Sequence, residues 1–126
     1  QTINVLCEGE IVQLLKRHNP DVTESEYLSI IERKTAALCA ASCKLGAIFS
    51  GANKSLSEAL TNYGLKLGIA FQIIDDCLDV IGNEEEVGKT LNTDIESGKL
   101  TLPLIRLVNV LPANRKASVC ELIFQN

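Results

Sequence analysis

Apolar positions recur at helical spacing along most of the chain, and breaks between them fall at turn-forming residues. Leu6, Ile11, Leu14 and Leu15 set a loose helical pattern over residues 5–17, ended by His18, Asn19 and Pro20. Thr23 with Glu26 three residues later forms a capping-box pattern, in which hydroxyl and carboxylate each satisfy a backbone N–H left over at a helix start. A long helix is therefore predicted from about residue 24 to about residue 49. Its stripe is Tyr27, Ile31, Lys34, Leu38, Ala41, Leu45 and Ile48, with Lys34 as the one charge. Gly51, Ala52 and Asn53 interrupt it, and Ser55 with Glu58 repeats the capping pattern. The third predicted helix runs to about residue 81, with a core stripe of Leu56, Leu60, Tyr63, Leu67, Phe71, Ile74, Leu78 and Ile81. Gly82 and Asn83 stop it. Residues 83–98 are poor in apolar side chains and read as a long loop. Thr101 and Pro103 open a helix to about residue 111, Pro112 breaks it, and residues 116–124 can start another.

Composition narrows this to an all-α protein of one folded unit. The chain has 126 residues and only two Tyr and three Phe, so Ala, Leu and Ile carry its apolar content, which suits close helix packing. A net charge of -4 argues against a nucleic-acid footprint, and the apolar stretches are too short to span a bilayer. Cys7, Cys39, Cys43, Cys77 and Cys120 form no CxxC pair and are expected to be buried, inert thiols in a reducing compartment such as the cytoplasm. Gln1 in place of Met, with no leader-like stretch, suggests a trimmed or processed piece.

Charge is distributed unevenly. Eight of the sixteen acidic residues lie between Asp75 and Glu96. Asp75 and Asp79 stack one helical turn apart, with side chains about 5–6 Å from each other, and would repel unless neutralised. Mg²⁺ resolves such a repulsion, because it takes oxygen ligands and is held by one or two carboxylates plus substrate phosphates. The segment from Leu65 to Ile74 is apolar on nearly every side, which predicts a buried helix delivering these carboxylates to an internal cavity. Gln72 shares their stripe. Gly64 and Gly68 extend it backward, either as the smooth wall of a channel or as points of close helix approach. Lys34, inside an apolar stripe, needs an anion or an escape to solvent, since an unpaired buried ammonium is costly. Gly88 with Lys89 and Gly98 with Lys99 place a turn and a positive charge at each end of the polar loop, a pattern able to grip a diphosphate. Glu84, Glu85 and Glu86 are expected to be solvated.

These residues resemble a known family. Phe71 to Asp79 is similar to the second aspartate-rich motif of trans-type isoprenyl diphosphate synthases, and Gly88, Lys89, Asp94 and the run from Gly98 to Pro103 follow in order and at family spacing. Tyr27 with Lys34, Thr35 and Leu38 resembles the family's lysine-threonine motif, and Gly9, Glu10 and Gln13 resemble the segment after its central catalytic helix. The resemblance spans roughly residues 8–108. It implies an isoprenoid-synthase-type helical bundle that elongates an allylic diphosphate with isopentenyl diphosphate. In that scheme Asp75 binds Mg²⁺ on the allylic diphosphate, and Asp76 and Asp79 support the site directly or through water. Lys34 and Lys89 contact the diphosphate, Thr35 and Gln72 steady the developing allylic cation, and Lys99 with Asp94 orders the loop, Lys99 also counting among the substrate-binding residues.

One departure matters. No other DDxxD or DDxxxxD pattern occurs, and the family's first aspartate-rich motif and its following arginines are missing. The chain thus resembles the C-terminal part of such an enzyme, with half a metal site, little activity alone, and an apolar face able to associate with the missing N-terminal half. The implied dimer partner is a second copy. Two other readings are a terpene cyclase of related fold and a non-catalytic helical interaction or regulatory subunit. Asp75, Asp76 and Asp79 fit elongation better than cyclisation.

Overall fold

The computed structural model describes residues 1–88 and 90–124. Every regular element among them is helical: α1 (Thr2–Leu15), α2 (Glu24–Ile31), a π-helical turn (Glu32–Ala36), α3 (Ala37–Phe49), α4 (Lys54–Ile81), α5 (Glu84–Val87), α6 (Thr93–Glu96), α7 (Leu102–Val110) and α8 (Ala113–Phe124). No helix among the described residues is long and apolar enough to cross a membrane.

The capping box at the start of α2 forms as the spacing predicts. The Thr23 N–H donates to Glu26 Oε2 at 2.9 Å, and the Glu26 N–H donates to Thr23 Oγ1 at 3.2 Å. The second predicted box does not form. Asn53 caps α4 instead, its Oδ1 accepting from the Leu56 N–H at 2.9 Å, and Ser55 lies inside the helix. The helix expected over residues 24–49 is continuous but changes character at residues 32–36, where bonds run i to i+5. Apolar spacing gave no sign of this turn. Residues 83–98, expected as loop, hold α5 and α6, and Asn83 caps α5 by accepting from the Glu85 N–H at 3.1 Å. Glu84, Glu85 and Glu86 are exposed, as a solvated segment should be.

The chain forms two compact units. The first comprises Gln1–Val12 and Leu28–Gln72. Its buried apolar side chains are Ile30, Ile31, Ala36, Ala40 and Ala47. Small residues let its helices approach closely: a Cβ on Gly68 would lie 2.6 Å from Ala36 Cα, and one on Gly64 would lie 2.6 Å from the Cys39 carbonyl oxygen. Of the two roles open to these glycines, close helix approach is the one observed, and the channel wall is not.

The second unit comprises residues 13–27 and those from 73 onward. Val22, Tyr27, Leu91, Leu100, Leu104, Ile105, Val108 and Ile123 form its core, and α6 and α7 pack on α8. Gly98 sits under the His18 ring in left-handed backbone (φ 71°), and its carbonyl accepts from the His18 N–H at 2.8 Å.

Two expectations about burial fail. Most of the stripe assigned to the core of α4 faces outward, with Phe71 64% and Ile81 79% exposed, and the segment before the aspartates is not buried all round. The buried positions of α4 are Ser57, Gly64 and Gly68 in the first unit and Asp76 and Asp79 in the second. Helical period identified a helix with a one-sided apolar stripe, but which side meets the chain's own core depends on the neighbouring helices. The cysteines are also less buried than expected: Cys7 is exposed and the other four are half-buried, all as free thiols.

Candidate diphosphate and metal site

In the second unit, the last turns of α4 carry three aspartates in three different environments. Asp79 is 2% exposed, and its carboxylate is held by the polypeptide that follows. Oδ1 accepts from the Thr93 N–H at 3.3 Å and from the Thr93 hydroxyl at 3.1 Å, and Oδ2 accepts from the Asp94 N–H at 3.1 Å. The Asp79 carbonyl also accepts from the Asn92 N–H at 2.9 Å. One aspartate thereby supplies acceptors to the unpaired amides at the start of α6, which lies fourteen residues further along the chain.

Asp76 is 4% exposed and accepts a 2.6 Å bond at Oδ2 from the phenolic hydroxyl of Tyr27, itself 2% exposed. Burial, followed by the bond to Asp76 and its negative charge, pushes the Tyr27 phenol well above its ordinary range, so it stays a donor. Asp75, one residue before Asp76 and one turn before Asp79, is half-buried.

Tyr27 reaches Asp76 from a helix that is itself fixed within this unit. Glu26 joins Lys16 at 2.6 Å, and Lys16 together with Thr23 holds the Glu26 carboxyl down at about 2. Glu24 takes both arms of Arg106 from α7, at 2.8 Å and 3.2 Å, and that bond lowers its proton affinity. Lys99 pairs with Asp94 at 3.0 Å, with side chains only 22% and 16% exposed, which ties the two ends of the α6 segment together.

In the first unit, Lys34 and Thr35 fall inside the π-helical turn, and both are half-buried. Gly9 of α1 packs directly on this turn, where a Cβ would lie 2.7 Å from the Lys34 backbone nitrogen. The Thr35 hydroxyl donates to Gln72 Oε1 at 2.8 Å, so two side chains assigned to one role from sequence are in contact across 37 residues. π-Helical turns inside α-helices occur frequently at functional sites. Lys89, the remaining expected cation, lies outside the described residues.

Sequence reading assigns Thr93 and Arg106 no role and places Tyr27 only on a helix stripe and within a motif. Their signal was absent from local spacing because each acts on a partner between 14 and 82 residues away. A hydroxyl buried at a helix-facing stripe position, as in Tyr27, is the one clue a sequence offers, since such a group needs an acceptor.

Carboxylate oxygens suit a hard divalent cation. Among the described residues, however, no group of three or more His, Cys, Asp or Glu side chains gathers to hold a metal unaided. The donor set fits a cation held by one or two carboxylates and completed by phosphate oxygens.

The chain matches the polyprenyl synthetase family over residues 1–125. It belongs to that family. Geranylgeranyl diphosphate synthase of Saccharolobus solfataricus is 41% identical over 115 residues, covering 91% of this chain and 35% of that protein. Heptaprenyl diphosphate synthase component 2 of Bacillus subtilis is 46% identical over 105 residues, covering 83% of this chain and 30% of that protein. The crystal structure of a polyprenyl synthase from Caulobacter crescentus, complexed with calcium and isoprenyl diphosphate, superposes with a TM-score of 0.88 at 42% identity, over 95% of this chain and 36% of that one. The chain thus has the all-α fold of these synthases and spans about a third of the length of the curated relatives it matches.

Proposed function

We propose that this chain supplies the C-terminal, second aspartate-rich portion of a prenyltransferase that elongates an allylic diphosphate with isopentenyl diphosphate. The observation that carries this reading is the sorting of the three aspartates. Asp76 and Asp79 are buried and fixed by donors, and the half-buried Asp75 lies beside Asp76 and one turn before Asp79, an arrangement suited to a metal ligand on a rigid frame. Asp75 would hold Mg²⁺, with Asp76 and Asp79 supporting the site directly or through water. When bound, magnesium supplies positive charge to the leaving diphosphate as the carbon–oxygen bond breaks.

The chain's own residues supply the rest. Lys34 and Lys89 place ammonium charge against the diphosphate, which gains negative charge as it leaves, so the attraction grows toward the transition state. Lys99, paired with Asp94, orders the loop. Thr35, donating to Gln72, keeps its own lone pairs available to face the developing allylic cation. The released diphosphate can take the final proton, so no histidine base is needed. Exposed apolar side chains such as Leu45, Phe49 and Phe71 support association with further helices, with the N-terminal half of such an enzyme and with a second copy in a homodimer.

The test is turnover, together with Mg²⁺-dependent binding of a non-cleavable allylic diphosphate analogue, in the full-length protein. Asp75→Ala should lower turnover by about 100-fold or more with helix content unchanged by circular dichroism. Wild-type turnover in that variant would remove Asp75 from the site, and a full-length protein that binds the analogue equally well without metal would overturn the reading.

A further inference from the structure

We infer that Tyr27 is a positioning residue for the aspartate-rich motif: its hydroxyl holds the Asp76 carboxylate so that the turn of α4 bearing Asp75 presents one fixed arrangement to a divalent cation. The inference rests on the proposed role of Asp75 as metal ligand and adds a residue that acts on it from another helix.

The geometry is specific. Tyr27 and Asp76 are 49 residues apart in sequence, both nearly inaccessible, and joined by a 2.6 Å O–H to carboxylate bond. A carboxylate this buried needs donors, because a charge removed from water and left unsatisfied is strongly unfavourable. A bond of this length to a charged acceptor is among the stronger hydrogen bonds a side chain makes. A tyrosine that only filled the core would not need to aim its hydroxyl at a carboxylate, and phenylalanine would pack as well.

The donor also stands on a braced support. Residues on either side of the capping box, Lys16 through Glu26 and Arg106 through Glu24, clamp the first turn of α2 immediately before Tyr27. Asp79, by contrast, is held by amides of the segment that follows it. The two buried aspartates are therefore anchored from independent directions, one by an earlier helix and one by a later loop. Asp75 lies next to the first and one turn before the second.

The experiment is a Mn²⁺ titration, read by the loss of the free-ion electron paramagnetic resonance signal, on the full-length protein in the presence of inorganic diphosphate. Tyr27→Phe should weaken Mn²⁺ binding about 10-fold, the scale seen when a partner of a metal ligand is removed. In an Asp76→Ala background, where the tyrosine has lost its acceptor, the same substitution should add little, because its effect passes through Asp76. Wild-type Mn²⁺ affinity in Tyr27→Phe would overturn the proposal, as would an undiminished loss in the Asp76→Ala background. If Tyr27→Phe fails to fold, Asp76→Asn compared with Asp76→Ala decides. The first keeps an acceptor for the tyrosine and the second does not, so a roughly 10-fold weaker affinity in Asp76→Ala than in Asp76→Asn supports the proposal and equal affinities overturn it. Asp75→Asn separates the two levels of argument. Unchanged Mn²⁺ affinity there would remove the metal site itself and the proposal with it, whereas a loss there beside a wild-type Tyr27→Phe would remove only the role of Tyr27.

Discussion

Helix α4 buries two kinds of surface along its length. In the first unit its buried positions are Ser57, Gly64 and Gly68, which bring little apolar area but allow backbone to touch backbone, as the closeness of Gly68 to Ala36 shows. In the second unit its buried positions are Asp76 and Asp79, the side chains most expensive to remove from water, each matched to donors. The first stretch is held by shape and the second by hydrogen bonds. Packing by shape fails when an atom is added, and packing by polar pairing fails when a partner is taken away. A helix whose larger apolar side chains face outward is therefore still fixed in place by small residues at one end and charged ones at the other.

This contrast can be broken at either end. The largest stability effect is expected at Gly68→Val, where two added methyl groups and a Cβ meet the Ala36 backbone. A loss of about 3 kcal/mol should appear as a lower midpoint in thermal denaturation. Asp79→Ala should cost about 2 kcal/mol by removing the acceptor for Thr93 and Asp94, and amide hydrogen exchange at those two residues should quicken.

A smaller effect comes from acid. Glu26 is held at about 2, below its ordinary value of 4.5, so its bonds to Lys16 and Thr23 contribute fully above pH 4.5 and are lost as pH falls through 2. Glu26→Gln should flatten acid denaturation in that window. Phe71→Gln should have the least effect, within about 0.5 kcal/mol for this chain, because the ring is mostly exposed. A loss several times larger in the full-length protein would show that a partner covers it.

Much of the helical layout was legible from local spacing. The capping box of Thr23 and Glu26, the stop at Gly82 and the break at Pro112 are short-range devices, each acting within a few residues. Helical spacing placed Asp75, Asp76 and Asp79 on one helix, and the motif resemblance gave Thr35 and Gln72 one role, the two being in contact. What failed was the side of α4 that is buried. Leu67, Phe71 and Ile74 form a regular stripe, and amphipathic period reports which residues share a face without saying what that face meets.

The amino-acid order by itself determined where helices start and stop and which polar groups cluster, because capping, turn geometry and side-chain period depend on neighbours within about one or two turns. Only tertiary structure decided that Tyr27 answers Asp76, that Thr93 and Asp94 answer Asp79, and that glycines rather than leucines line the buried edge of α4. Those outcomes follow from desolvation: a carboxylate or a backbone carbonyl drawn away from water must find a partner in space, and that partner can come from any distance along the chain.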